Sequence, residues 1–280
     1  MIKKINKFTC EISKSKDVRF SSAFFSKMLK EFAVILIRNQ DFKNYDEIWQ
    51  FAHFFGEPSR CDDITNIGEN GELRSLSSQE SKQIKANEVW HVDMLASPIP
   101  PSLCLLYAKE LPVKVVPETQ FADLCELWSD QDKKSCAKFS SAYAVHSFSA
   151  LAERTGPNYP MELVKNYRPC RHPLLTKDPY SKRPVFYIAG HTENILTDSG
   201  YFEGSIDDII KEATNPNKIF SHKWSLGDLL VWNNRRVCHR VTPYDNGNER
   251  RRLHRVEIMG EPPIQYSQGI LNNILNLIKR

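Results

Sequence analysis

The segment Val89-Trp90-His91-Val92-Asp93-Met94 sets an imidazole and a carboxylate two residues apart. On an extended backbone, side chains at i and i+2 point to the same face, so His91 and Asp93 can reach one metal ion. A second histidine, His239, follows the apolar run Leu229-Leu230-Val231-Trp232 and the turn-like Asn233-Asn234-Arg235-Arg236. Two histidines and one carboxylate leave one face of an octahedral ion open, which suits a non-heme Fe(II) that activates oxygen. His-x-Asp alone is a common tripeptide, and the C-terminal third gives it weight.

The elements around this segment predict a mainly β chain with inserted helices. Phe24, Phe25, Met28, Leu29 and Phe32 follow helical spacing after Ser22, and Ala33–Arg38 reads as a buried strand. Asn44 and Glu47 mark a capped helix through Ile48, Phe51, Ala52 and Phe55 that stops at Gly56. The polar stretch 57–88 reads as a long loop delivering the chain to His91. Strands are expected at Leu103–Ala108, Val113–Val116, Pro184–Ile188, Asp228–Asn233 and Leu253–Met259. Residues 121–139 read as two helical pieces, and the proline-rich 140–183 as loop with short strands. Ser205 and Asp208 open a helix to Ala213, and apolar residues at 270, 271, 274, 275 and 278 predict a C-terminal helix, about 268–280. Strands and helices do not alternate regularly, which favours a jelly-roll barrel over a βαβ fold. One domain spanning 1–280 is expected.

Composition narrows the class. At 280 residues, 41% apolar and 26% charged, this is an ordinary globular chain, and a net charge of +4 does not argue for nucleic acid or membrane. No run of 18 apolar residues is present, and no apolar core follows the basic Met1–Lys7, so neither a membrane span nor a secretory signal is expected. Seven scattered cysteines without Cys-x-x-Cys read as free thiols in a reducing compartment, with cytoplasm the expected location.

Around and beyond His239, seven arginines fall between 235 and 255. On a strand, Arg251 and Arg255 share a face with Leu253 between them, and a guanidinium beside a metal is a natural anchor for an acid. Alternation would divide the cluster between two faces, which argues against a nucleic-acid surface. Trp90-His91-x-Asp93, Gly227-Asp228-Leu229-x4-Asn234-Arg235-x3-His239-Arg240 and the arginine twelve residues after His239 together resemble the TauD/TfdA family of Fe(II)- and 2-oxoglutarate-dependent dioxygenases. The likeness runs from the helix before Gly56 to about Pro262.

That resemblance implies a double-stranded β-helix, with Fe(II) on His91, Asp93 and His239 and with 2-oxoglutarate and O2 as co-substrates. It implies that Arg251 and Thr119 receive the distal carboxylate of 2-oxoglutarate and that Asn87, His191 and Arg255 line the substrate pocket. Arg255 would take the acidic group of a small, anionic substrate, and Trp232 would be the aromatic beside the metal. The family's usual Gly-Gly-Asp-Thr is here Val116-Pro117-Glu118-Thr119. Arg250 competes with Arg251 on spacing. With Asp93 as third ligand no halide position remains, so hydroxylation, desaturation or cleavage is implied over halogenation. His191-Thr192-Glu193 is a rival ligand set; His53 and Cys238 read as packing or surface residues. A biosynthetic enzyme of the same family acting on an amino acid or secondary metabolite is the alternative, and a non-catalytic metal-binding jelly roll is the alternative of another class. The apolar 270–278 face is expected to cover a sheet edge or to meet a second subunit, in a homodimer or higher homo-oligomer.

Overall fold

The computed structural model describes residues 1–13, 19–129, 139–157 and 159–266. The chain is mostly β with helices added. A seven-stranded sheet has the order β1 (Ile2–Lys4), β2 (Thr9–Ile12), β3 (Val34–Ile37), β14 (Leu229–Asn233), β5 (Leu103–Glu110), β16 (Arg252–Ile258), β4 (Pro58–Thr65). Only β2 and β3 pair in parallel. A three-stranded antiparallel sheet, β13 (Ile219–His222), β6 (Thr119–Asp123), β15 (Val237–Val241), shares a core with it.

The period of two is plain in the large sheet. Val34, Leu36, Leu106, Leu230, Trp232 and Leu253 pack inward with Phe121 and Val237 of the smaller sheet. Ile35, Ile37, Leu105, Leu229, Val231 and Val256 face outward, beneath helices α1 (Ser22–Glu31) and α2 (Tyr45–Ala52). The central strands are therefore buried on both sides, which is why they read as continuous apolar runs. Both helices carry their expected N-caps: Ser21 Oγ accepts from Phe24 N, and Asn44 Oδ1 from Glu47 N.

Four expectations change. The stretch 57–88 contains β4 and a helix, α3 (Gln79–Ala86). Strand β4 is hidden in the sequence because its partners for β16 are charged: Asp62 pairs with Arg255 and Asp63 with His254. Val113–Val116 is not a strand; Val113 and Val115 are exposed between prolines, and the following strand starts at Thr119. In 121–139, the first residues finish β6 and α4 covers Leu124–Ser129, while 130–138 lies outside the described residues.

The region 140–183 holds two helices, α5 (Phe148–Thr155) and α6 (Met161–Asn166), between β7 (Tyr143–His146), β8 (Cys170–Pro173) and β9 (Leu175–Lys177). Ser147 caps α5 through Ala150 N, and Pro160, one of the prolines that suggested loop, instead marks the start of α6. Strands β10 (Pro184–Phe186), β11 (Thr192–Thr197) and β12 (Gly200–Tyr201), with helix α7 (Ile206–Ala213), complete this half. Residues 267–280, where the C-terminal helix was expected, lie outside the described residues.

Candidate metal centre

His91 and His239 are joined by an isolated antiparallel bridge: His91 N donates to His239 O (2.9 Å) and His239 N to His91 O (2.8 Å). This one rung ties the segment after α3 to β15 and sets the two rings 4.2 Å apart. Asp93 does not reach the site by strand alternation, because the chain leaves the bridge at once and turns, with Met94 at φ 53°. Asn234 fixes that turn. Its Oδ1 accepts from Asp93 N (3.0 Å), and its Nδ2 donates to Asp93 O (3.0 Å) and Pro101 O (3.1 Å). Asp93 Oδ1 consequently lies 3.7 Å from both His91 Nε2 and His239 Nε2.

Two ligand atoms each about 2.1 Å from an ion can be at most about 4.2 Å apart, so this spacing fits a shared cation. His91 Nδ1 donates to Val89 O (2.7 Å), which leaves the Nε2 lone pair free. The His239 ring is held by packing, 4.8 Å from Trp232 and 5.8 Å from Phe121, and its Nδ1 is buried without a partner. Burial, then the neighbouring His91, pushes the His239 imidazole down to about 3, and burial also lowers His91. Burial raises the Asp93 carboxyl, but His239, Arg255 and His91 outweigh it and hold it at about 2. Two neutral imidazoles and a carboxylate are the ligand forms a divalent ion requires. The rival set does not form: Glu193 is exposed, and among the described residues His91, Asp93 and His239 are the group with metal-binding spacing.

A cavity runs from the three ligands past Trp232 and Leu253 to Thr119 and Arg251. Arg251 is 3% exposed, has no carboxylate within ion-pair distance among the described residues, and keeps Nε unpartnered. Its guanidinium lies over the Tyr244 ring at 5.7 Å. A buried cation without a counter-ion is costly, so this end of the cavity is built for an anion. Thr119 heads β6 despite the missing glycines. Its Oγ1 accepts from Trp224 Nε1 (2.9 Å), which leaves the hydroxyl proton to donate. Arg250 is exposed and paired with Glu110, which removes it as a competitor.

A second cavity opens on the other side of the ligands, between β4, α3, α5 and α6. Asn87, the C-cap of α3, and His191 line it, with Met94, Phe148 and Leu151 as an apolar wall. His191 is buried, its Nδ1 has no partner, and burial pushes it down to about 3. Gly190 brings it there: Gly190 N donates to Trp90 O (2.8 Å), and a Cβ on Gly190 would stand 2.7 Å from that oxygen. Arg255 lines both cavities but is engaged, with Nε and Nη2 on Asp62 (2.9 and 2.8 Å) and Nη1 3.4 Å from Glu257. Sequence reading missed Asp62, Gly190 and the hold of Asn234 on Asp93. A charged residue in a polar stretch gave no signal for the first, whereas Asn234 stood inside the recognised motif. Three more of the arginines are also engaged: Arg236 with Asp123 in a buried fork (3.0 and 2.6 Å), Arg240 with Gln120 (2.8 Å) and over the Trp90 ring, and Arg252 with Asp63 (3.7 Å).

A mostly β scaffold thus carries two histidines and one carboxylate, in reach of one cation, at the junction of two cavities, one of which ends on a buried arginine without a counter-ion among the described residues. Residues 11–256 match the family model described as taurine catabolism dioxygenase TauD, TfdA family, and the chain belongs to that family. It is therefore a 2-oxoglutarate-dependent dioxygenase that uses Fe(II), 2-oxoglutarate and O2. The chain is 28% identical over 250 residues to the alpha-ketoglutarate-dependent 2,4-dichlorophenoxyacetate dioxygenase of Burkholderia sp. (strain RASC), covering 81% of this chain and 82% of the relative. It is 21% identical over 254 residues to the pentalenolactone F synthase of Streptomyces arenae, covering 84% and 85%. Its fold is similar to that of AAD-2 in complex with Mn(II) and N-oxalylglycine, with a TM-score of 0.81 at 24% identity over 95% of this chain and 98% of that one. Among the described residues no helix is long and apolar enough to cross a membrane.

Proposed function

We propose that His91, Asp93 and His239 hold the Fe(II) and that Arg251 and Thr119 receive the distal carboxylate of 2-oxoglutarate. The single observation that carries this is the pairing of a converging two-histidine, one-carboxylate set with a buried, uncompensated arginine at the end of the same cavity. The metal and keto acid, when bound, supply the redox chemistry: substrate C–H, O2 and 2-oxoglutarate become alcohol, succinate and CO2. The chain's own residues orient and shield. Arg251 and the Thr119 hydroxyl fix the keto acid by its far end, so its other end meets the metal ligands. Trp232, Leu106 and Leu253 keep water from that arm. Asn87 and His191 face the substrate, and the neutral His191 ring offers a hydrogen bond without a charge.

The substrate is a small organic acid, with its anion at Arg255. Two of the five N–H groups of the guanidinium are given to Asp62, Nη1 lies 3.4 Å from Glu257 without a hydrogen bond, and the others are left for an incoming acid. Arg255→Ala should raise KM for an acid substrate more than it lowers kcat; an unchanged affinity would remove the acid from this reading. The likeness to pentalenolactone F synthase supports a second reading, a biosynthetic hydroxylation or desaturation. A binding module without turnover would have no use for the open metal face or the unpaired Arg251. The two sheets support a double-stranded β-helix in one domain over 1–280, and the free cysteines support a reducing, cytoplasmic setting.

The test is anaerobic addition of Fe(II) and then 2-oxoglutarate to metal-free protein. A weak visible charge-transfer band should appear, vanish in His239→Ala and weaken in Arg251→Ala. Metal binding without any band would refute the assignment.

A further inference from the structure

We infer that a third cavity, which shares no lining residue with either arm of the metal centre, is a second small-molecule site, and that it takes an organic monocarboxylate with a compact apolar body. The cavity lies among β9, the 178–187 segment, the turn after β14 and the chain following β16. Phe55, Tyr180, Ile258, Met259, Pro262 and Ile264 form an apolar wall, and the charged residues Lys177, Lys182, Asp178 and Glu261 also line the cavity. Met259 and Ile264 are among the exposed large hydrophobic residues of the surface, and both stand at this rim.

At its base is Arg235, 6% exposed, with no carboxylate within ion-pair distance among the described residues. Its Nη2 donates to Glu261 O, and its Nη1 is buried without a partner. The hydroxyl of Tyr187, fully buried, faces this guanidinium and has no hydrogen bond of good geometry. Two acids line the cavity: Asp178 is spent elsewhere, accepting from Asn233 Nδ2 (2.6 Å), Ser181 N (3.1 Å) and Tyr180 N (3.2 Å), and Glu261 is exposed and meets Arg235 through its backbone carbonyl. The physical criterion is the one that marks Arg251. A buried guanidinium without a counter-ion is expensive, and an anion entering the open space beside it relieves that cost.

The flat fork of one arginine, with one hydroxyl beside it, matches a planar carboxylate. A phosphate would call for several donors converging on the buried guanidinium, whereas the lysines that line this cavity, Lys177 and Lys182, are exposed to solvent and its walls are otherwise largely apolar. Those walls instead fit the hydrocarbon body of the acid. The cavity also adjoins the metal centre through the backbone, because Arg235 follows Asn234, the residue that holds Asp93.

The test uses full-length protein and benzoate, with benzamide as its uncharged counterpart, followed by ligand-observed NMR and calorimetry. Mn(II) and saturating N-oxalylglycine are present to fill the keto-acid arm. Benzoate should bind and benzamide should bind about tenfold more weakly, the scale of one charge-assisted contact. Arg235→Gln should lower benzoate affinity by a similar factor. Met259→Trp, at an exposed rim position, fills the cavity mouth and should abolish binding, which keeps the test independent of any folding defect in Arg235→Gln. Arg251→Ala should leave benzoate binding in place. The inference is overturned if benzoate does not bind, if binding survives Met259→Trp, or if N-oxalylglycine displaces it. None of these outcomes touches the charge-transfer test of the metal centre.

Discussion

Asn234 is fully buried, and its amide does for Asp93 what a β-ladder rung would do, holding both the N–H and the carbonyl. In Asn234→Ala three hydrogen bonds disappear, including the one to Pro101 O. At about 1 kcal/mol net for each, the fold should lose about 3 kcal/mol, and more where the Asp93 N–H is left without a partner. Asn234→Asp keeps the shape but turns a donor into an acceptor against two carbonyl oxygens. It should therefore be worse than Asn234→Ala in spite of its closer size. The freed turn lets the Asp93 carboxylate drift from the two imidazoles, and metal affinity should fall about 10- to 100-fold, the usual scale for residues that orient a ligand. Urea unfolding of metal-free protein reads the first quantity, and Mn(II) titration by electron paramagnetic resonance reads the second. If Asn234→Ala loses less than about 1 kcal/mol and binds Mn(II) like the parent, the account of how Asp93 is positioned is wrong, since the hydrogen bonds would then carry less than the usual net value.

Three further outcomes are expected. Thr119→Val should weaken 2-oxoglutarate binding several-fold and, by orphaning the buried Trp224 Nε1, cost about 1–3 kcal/mol in urea unfolding. Gly190→Ala, whose Cβ would press on Trp90 O, should cost about 1–3 kcal/mol and raise KM for substrate by displacing His191, with 2-oxoglutarate affinity little changed. Acid should destabilise the metal-free protein through His191. Its folded value is depressed to about 3 by burial, below the unfolded value of about 6.5, so its contribution is complete above pH 6.5 and is lost as pH falls towards 3. Between pH 6 and 4 the parent should lose about 1.4 kcal/mol per pH unit more than His191→Asn; parallel curves would show that His191 is not held neutral.

Legibility followed the physics of each element. The strands β3, β5 and β14 and the helices α1 and α2 stood out because their burial is one- or two-sided and apolar, so periodicity records it. Strand β4 did not, because its inward residue Asp62 is matched by Arg255 from the opposite strand, and a charge neutralised by tertiary pairing looks solvated in sequence. Val113–Val116 failed in the converse way: β-branched residues without a partner strand stay in solvent.

The family and the residues of the candidate site were readable from the chain alone, because His91-x-Asp93, His239 and Arg251 are local patterns whose chemistry belongs to the side chains themselves. Sequence also settled that the arginine cluster divides between faces, since alternation along a strand is a local property. The tertiary structure alone decided that Asp93 arrives by a turn held from Asn234, that Arg251 is the unpaired cation while Arg255 is shared with Asp62, and that Arg235 stands beside an open cavity. Whether a charge is satisfied depends on groups brought together from distant parts of the chain, and no window of sequence contains both partners.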